Sequence, residues 1–235
     1  RVLRLREASL PNALYQGRLA VTTAQFAFLD DDDEYLPDAL VSRAKELEAN
    51  RADIAVGNGF NTAGELLIRD MHAVKSDPLE ALYVNNWLAS CGGLYRSATV
   101  PAEFFKSLVK YLEWTTLAFQ LLMAGKKFCF VEPPTFRLSD TEGSASKQQS
   151  MESILNSLAV VDYMYASVPR AARANLSAKR VNTYHTASAT CLSLNHLTRA
   201  WRLHLSCLLQ GGWTYLSYTR HLVYRTLTTW LGQQG

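Results

Sequence analysis

The sequence predicts an α/β protein in which a mostly parallel sheet is flanked by helices, with a helical extension at the carboxyl end. In residues 1–150, apolar runs of strand length alternate with segments of helical periodicity, the order typical of parallel sheets. From Asn195 onward, apolar residues recur at helical spacing in two successive segments. We therefore expect an α/β domain over residues 1–150 and a basic, aromatic-rich helical extension over residues 151–235.

The first part of the chain contains a strand, helix, strand unit. Pro37 suits the first turn of the helix, whose expected apolar face comprises Leu40, Val41, Ala44 and Leu47. The expected elements are a helix over residues 8–23, a strand over 25–29, a helix from Pro37 to Asn50 and a strand over 53–60. Because a helix joins the two strands, we expect them to run parallel.

The alternation continues up to a polar segment. Residues 87–95 are mixed and contain glycine, residues 101–124 are expected to be helical, and residues 127–131 form a strand that Pro133 and Pro134 interrupt. Residues 136–150 are rich in Ser, Thr, Gly and Gln, which predicts a loop.

Composition excludes several classes of protein. The chain has 235 residues, 48% of them hydrophobic, which is enough to bury a core. Its four cysteines are far apart, so neither a zinc module nor a disulfide framework is expected. No apolar run reaches the roughly 18 residues that a membrane-spanning helix needs.

The charge is divided unevenly along the chain. The net charge of +3 combines −5 in residues 1–162 with +8 in residues 163–235, which contain no Asp or Glu. A segment of that length without a carboxylate indicates an anionic partner, because ordinary protein surfaces mix both signs.

Four consecutive aspartates, residues 30–33, follow the first predicted strand. Adjacent carboxylates repel one another, so a cation is expected among them, and Mg²⁺ or Mn²⁺ prefers such oxygen ligands. The carboxyl ends of strands in open α/β sheets are also where ligands bind. A solvated acidic turn, or a helix start that these acids stabilise, is the alternative. An EF-hand loop is disfavoured because Tyr35 occupies the position that requires glycine.

Several segments in one order resemble family 2 glycosyltransferases of the GT-A fold. Phe28 to Asp33, with Leu36 and Pro37, resembles the family's "FLDxDD…LP" string. The other similar positions are Asn12, Ala13 and Gly17 upstream, Glu113, Trp114, Leu117, Gly125 and Lys126 for "EDW…L…G-K", and Pro133, Arg137, Ser144 and Ser146 for "P…YR…S.S". The resemblance covers roughly residues 8–147.

The resemblance implies a metal-dependent transferase that uses a nucleotide-sugar donor and inverts the anomeric configuration. Asp30 and Asp32 would form its DxD motif, Asp32 would be the direct ligand of Mn²⁺ or Mg²⁺, and Asp33 would lie nearby. Glu113 would be the general base that activates the acceptor hydroxyl. The implied donor-binding and acceptor-binding residues are Asp31, Gly92, Gly93, Trp114 and Arg137.

The chain departs from the family in three respects. Nothing matches the family's first strand or its "DDGS"-like strand, so the amino-terminal part of the domain, with the base-binding residues, is expected to be missing. Glu113 precedes Trp114 where the family has Asp, and Leu14 and Tyr15 replace an Arg-Asn pair.

The basic, aromatic-rich extension has two open interpretations. Its Trp, Tyr and Arg residues suit helices that lie in an anionic membrane interface, and they equally suit a hairpin packed with its aromatics in a core. No nucleic-acid-binding motif accompanies the charges, so nucleic acid is not expected.

The resulting hypothesis is sugar transfer to a glycan or lipid-linked acceptor in cell-surface polysaccharide or lipopolysaccharide synthesis. The enzyme would be cytoplasmic, at the inner face of the plasma membrane. A non-catalytic scaffold that binds nucleotide sugars or glycans, and a sugar nucleotidyltransferase, are the alternatives.

Overall fold

A computed structural model describes residues 2–6, 8–139 and 150–232, with side chains up to residue 228. The chain forms two compact units, residues 1–148 and residues 149–235. Ser144 and Ser146, which contribute to the family resemblance, and the side chain of Trp230 lie outside the described residues.

The first unit is a five-stranded sheet with helices on its faces. Its strands are β1 (Gln25–Ala27), β2 (Glu34–Tyr35), β3 (Ile54–Phe60), β4 (Gly93–Arg96) and β5 (Phe128–Arg137). Its helices are α1 (Leu10–Leu19), α2 (Ala39–Ala49), α3 (Met71–Ser76), α4 (Pro78–Val84) and α5 (Glu113–Met123), with a 3-10 helix at Ala102–Phe105. The α/β class is therefore confirmed.

The sheet is mixed, which corrects the expectation of a mostly parallel one. The strand order is β1-β4-β3-β5-β2. β4 lies between β1 and β3 and runs antiparallel to both, and β2 runs antiparallel to β5. Only β3 and β5 are parallel neighbours among the described strands. β1, β3 and β5 do share one direction, but the insertion of β4 separates β1 from β3, the two strands that were expected to be joined through α2.

Two helical predictions also change. Leu40 and Val41 are exposed, and α2 instead buries Ala39, Arg43 and Leu47, which are spaced four residues apart. The helix expected over residues 101–124 is split into the 3-10 helix and α5. Tyr111 has a φ of +71° just before α5 begins, a left-handed conformation that no helix interior contains.

β5 continues through the two prolines that were expected to end it. Gly57 pairs with Val131 and the next residue, Asn58, pairs with Pro134, so Glu132 and Pro133 form a bulge. Proline is tolerated in strands at such bulges because no ladder hydrogen bond is lost there.

The core of the first unit has two layers. The helix α2 packs on one face of the sheet through a cluster of small and aliphatic residues: Leu47, Ala52, Ala55, Leu94 and Cys129. An aromatic cluster is built around Tyr95, whose ring stacks on Phe26 at 5.0 Å and meets Phe105 edge-on at 6.2 Å. Such ring pairs add stabilisation beyond the apolar area that they bury.

The second unit is helical. Its helices are α6 (Met151–Ser167), α7 (Arg173–Ser193), α8 (Leu197–Leu209) and α9 (Tyr218–Gly232), with 3-10 helices at Arg170–Ala172 and Trp213–Tyr215. Its core contains Ile154, Leu158, Ala187, Cys191, Leu192, Ala200 and Leu222. None of the described helices is long and apolar enough to cross a membrane.

Candidate active site

The four aspartates lie in a loop that crosses one end of the sheet. β1 and β2 occupy opposite edges of the sheet, so residues 28–33 must span it. Because β1, β3 and β5 share one direction, this is the end where their carboxyl termini meet. We call residues 30–33 the acidic loop. Its position agrees with the rule that ligands bind at the carboxyl ends of strands in α/β sheets.

Hydrogen bonds fix both ends of the acidic loop. The N–H of Asp33 donates to the carbonyl of Asp30 at 3.2 Å, which makes residues 30–33 a tight turn. The hydroxyl of Tyr35 donates to the carbonyl of Phe28 at 2.6 Å. The N–H of Leu36 donates to the carbonyl of Thr135 at 3.0 Å, next to the pairing of β2 with β5. The loop is thus held at a defined place on the sheet.

Asp33 joins the loop to two other segments. Its Oδ2 accepts a hydrogen bond from the hydroxyl of Ser90 at 2.9 Å, and the thiol of Cys91 lies 3.5 Å from the same oxygen. Its Oδ1 accepts from the N–H of Ser139, just beyond β5, at 3.1 Å. Both carboxylate oxygens therefore already have protein donors.

Asp30 and Asp32 are less engaged. Both are half-buried, whereas Asp31 is exposed. Asp32 has no side-chain hydrogen bond to any residue in the described part of the chain. Burial raises the pKa of Asp30, and the charges of the other three aspartates raise it further, although the nearby hydroxyl of Ser90 opposes them. A cation beside Asp30 would favour its ionised form.

Glu113 is buried at the first position of α5, with 5% of its surface exposed. Burial raises the pKa of its carboxyl group. The backbone N–H groups of Glu113 itself and of Tyr111 donate to this carboxyl group and lower its pKa, but by less. The negative charge of Asp30 raises this pKa as well, and the ring of Trp114, the next residue, packs against Phe28 just before the acidic loop, with centroids 5.7 Å apart. The left-handed φ of Tyr111 is backbone strain of the kind that gathers at functional sites.

The other predicted site residues have visible structural contacts. Trp114 packs against Phe28 with ring centroids 5.7 Å apart, and Arg137 forms an exposed ion pair with Glu34 at 3.1 Å. Gly92 and Gly93 are buried, and a Cβ on Gly93 would lie 2.4 Å from the ring of Tyr95. Packing therefore accounts for glycine at position 93.

Sequence reasoning missed Arg43, which is fully buried below the loop. Its Nη1 donates to the carbonyl of Cys91 at 2.6 Å, and its Nε and Nη2 donate to the hydroxyl of Thr135 at 3.2 and 2.6 Å. The guanidinium also lies 5.1 Å from the ring centroid of Tyr35. Arg43 thus braces the segment that holds Asp33.

Gly57, which lies against Arg43 in the structure, is the sequence feature that could have indicated a buried side chain here. A Cβ on Gly57 would lie 2.7 Å from Nε of Arg43 and 2.1 Å from the hydroxyl of Thr135. Glycine inside a strand often marks such a close approach. Ser90 was also missed, and no sequence pattern marks it.

Residues at the other end of the sheet enclose a cavity of about 450 Å³. It is lined by Glu46, Asn50, Lys75, Pro78, Leu122, Lys126, Phe128, Cys129 and Phe130 and contains no residue of the acidic loop. Within the described residues, no three His, Cys, Asp or Glu side chains form a complete metal site. Buried carboxylates, not cavity size, therefore identify the candidate site.

Ligands of open α/β sheets bind at the carboxyl ends of the strands, so carboxylates across these ends mark a candidate ligand site. A family model described as Glycosyl transferase family 2 matches residues 1–91. This stretch contains the acidic loop, Arg43 and Ser90, but neither Glu113 nor Arg137. The resemblance noted in the sequence is confirmed there: residues 1–91 are similar to family 2 glycosyltransferases. No curated protein matches the chain.

Proposed function

We propose that the protein transfers a sugar from a nucleotide-sugar donor to a glycan or lipid-linked acceptor with inversion at the anomeric carbon. One observation carries this proposal: at the carboxyl ends of the strands, Phe28, just before the acidic loop with its half-buried Asp30 and Asp32, packs against Trp114, the neighbour of the buried Glu113. The family match over residues 1–91 supports the same class of reaction.

Asp30 and Asp32 would hold Mn²⁺ or Mg²⁺. The donor set fits such an ion, because hard cations take oxygen ligands and commonly bind one or two carboxylates, with phosphate and water completing the shell. The raised pKa of Asp30 and the lack of a hydrogen-bond partner for Asp32 among the described residues favour this assignment. The ion would neutralise the charge that grows on the departing diphosphate. Asp33 would position the loop through Ser90.

Glu113 would take the proton from the acceptor hydroxyl as that oxygen attacks the anomeric carbon. A general base works best when its pKa lies near the working pH, and burial moves the pKa of Glu113 in that direction. The backbone N–H groups of Glu113 and Tyr111 favour the ionised form of the carboxyl group, which is the form that accepts a proton. Attack from this side in a single displacement inverts the configuration.

Donor and acceptor would contact the residues around these carboxylates. Asp31 and Arg137 are exposed. Arg137 is paired with Glu34, and a phosphate of the donor would replace Glu34 as its partner. Trp114 offers a partly exposed ring next to Glu113. Gly92 and Gly93 would shape the acceptor side beside Ser90.

The acceptor would be a cell-surface polysaccharide or lipopolysaccharide precursor at the inner face of the plasma membrane. The acid-free stretch of residues 163–235 supports this location, because the headgroups of that leaflet are anionic. The enzyme would attach to this surface peripherally.

Turnover of a panel of UDP-, GDP- and dTDP-sugars tests the proposed function. With Mn²⁺ we expect the full chain to hydrolyse or transfer at least one donor, and we expect Asp32→Ala and Glu113→Gln each to lower that activity at least about 100-fold. Glu103→Gln, which removes an exposed carboxylate elsewhere in the same unit, is the matched control. Binding without turnover would indicate a scaffold, and release of pyrophosphate from a nucleoside triphosphate would indicate a nucleotidyltransferase. Either result would contradict the proposal.

A further inference from the structure

A group of large apolar side chains is exposed where α8 ends. Leu205 is 51% exposed, Leu209 85%, Trp213 65% and Leu216 53%. We call these four residues the apolar end. Exposed apolar residues are ordinary when scattered, but four of them within twelve positions indicate a surface that contacts something apolar.

The core of the helical unit does not require the apolar end. Trp201 on the same helix is packed, and its indole N–H donates to the hydroxyl of Thr226 on α9 at 2.9 Å. Leu208 and Leu222 are buried between the helices. Trp201, Leu208 and Leu222 therefore account for the packing of the helices. The residues of the apolar end are not among them.

An exposed arginine shares the face of α8 that carries part of the apolar end. Arg202 precedes Leu205 by three positions and Leu209 by seven, so it shares their face of α8 and is itself exposed. Arg199 and Arg220 are exposed as well.

Few carboxylates oppose these cations. The only acids in residues 150–232, as described, are Glu152 and Asp162, both on α6. Asp162 is already paired with Arg180 at 2.6 Å. The surface around the apolar end therefore combines apolar and cationic groups with no anion of its own nearby in sequence.

We propose that the apolar end inserts into the interface of an anionic phospholipid bilayer, with Arg199 and Arg202 at the headgroups. Tryptophan and leucine suit the boundary between headgroups and acyl chains, and arginine suits the anionic headgroups above it. This inference rests on the proposed peripheral attachment and names its surface. It does not depend on the transfer reaction.

Flotation with vesicles, without any nucleotide sugar, tests this surface. The full chain is mixed with vesicles of phosphatidylcholine alone or of phosphatidylcholine and phosphatidylglycerol. We expect flotation with the anionic vesicles only, a blue shift of tryptophan emission on binding, and loss of most of that shift in Trp213→Phe.

Matched variants separate insertion from general adhesion. The double variant Leu209→Ser and Trp213→Ser is expected to weaken binding at least about tenfold, and Arg202→Gln about fivefold. Val84→Ser removes an equally exposed apolar side chain, 84% exposed, from the α/β unit and is expected to bind as the wild type does. Circular dichroism and thermal unfolding verify that each variant remains folded.

Four results would overturn the inference. Three of them are equal flotation of the folded double variant and the wild type, absence of binding to anionic vesicles, and selective binding of RNA in place of vesicles. A fourth is dissociation of a dimer by the double variant with no change in vesicle binding, which would assign the apolar end to a second copy of the chain. Because flotation uses no sugar donor, these failures are distinct from a failure of the glycosyltransferase proposal.

Discussion

The α/β unit buries charged side chains close together, whereas the helical unit carries most of its charges on the surface and nearly all of one sign. Asp30, Arg43 and Glu113 are half-buried or buried around one end of the sheet. In the helical unit, Arg199, Arg202 and Arg220 are exposed, and the buried polar residues are neutral hydroxyls and His204. Burying a charge is costly, so the buried titratable groups identify a candidate site, whereas exposed charges of one sign favour association with an oppositely charged surface.

The largest effect that would test this contrast concerns Glu113. We expect Glu113→Gln to lower kcat/KM for sugar transfer by about 10²–10⁴-fold, because general base catalysis typically contributes that much. Steady-state kinetics with the donor identified from the panel measures it. Glu103→Gln should retain wild-type kinetics. If both variants were as active as the wild type, Glu113 would not be the general base.

A second large effect concerns Arg43. We expect Arg43→Ala to lower the free energy of unfolding by roughly 3–5 kcal/mol, because it removes three buried hydrogen bonds and leaves a cavity. Arg43→Met keeps most of the volume and should cost about 1–3 kcal/mol, since the carbonyl of Cys91 loses its donor. Urea denaturation measures both. Lys45→Ala, on the exposed side of α2, should change stability by less than about 0.5 kcal/mol. Equal costs at positions 43 and 45 would contradict the bracing role.

Glu113→Gln, which is expected to lower activity, is expected to raise stability by a moderate amount. Burial and Asp30 raise the pKa of Glu113, so at neutral pH its ionised form destabilises the folded state. Stability falls as the pH rises from the ordinary carboxyl pKa through the raised one. Glu113→Gln should therefore raise Tm at pH 7 by about 2–4 °C, a gain that disappears below about pH 4. A variant with lower Tm at neutral pH would show that the carboxylate stabilises the fold.

The smallest effect concerns the ion pair of the helical unit. Asp162 accepts hydrogen bonds from Arg180 at 2.6 Å and from the hydroxyl of Tyr184 at 2.8 Å, but the pair is partly exposed. Asp162→Asn should therefore cost about 1 kcal/mol, measured by thermal unfolding at low salt. High salt should reduce this cost. A cost above that of Arg43→Ala would reverse the contrast between the units.

The sequence predicted the elements near the acidic loop because local signals determine them. Four acids after an apolar run mark a strand end, and the resemblance to family 2 pointed to Glu113. Strand order was not predictable, because the insertion of β4 between β1 and β3 depends on tertiary pairing that hydrophobic periodicity does not encode.

The prediction of which face of α2 is buried was also wrong, and the reason is physical. Periodicity favours Leu40 and Val41 as core residues, yet the space left by Gly57 and the hydrogen-bond acceptors of Cys91 and Thr135 favour Arg43. In the helical unit, hydropathy alone could not separate Trp201, which is packed, from Trp213, which is exposed. Both cases depend on partners that are distant in sequence.

Direct titration of Mn²⁺ tests the central claim that the acidic loop exists to bind a divalent ion together with a diphosphate. Electron paramagnetic resonance measures free Mn²⁺ in the presence of UDP, GDP or dTDP, with the wild type, Asp32→Asn and Glu103→Gln. We predict that the wild type and Glu103→Gln bind Mn²⁺ with at least one of these nucleotides and that Asp32→Asn binds it at least about tenfold more weakly. Equal binding by Asp32→Asn and the wild type, or no binding by either, would contradict the claim.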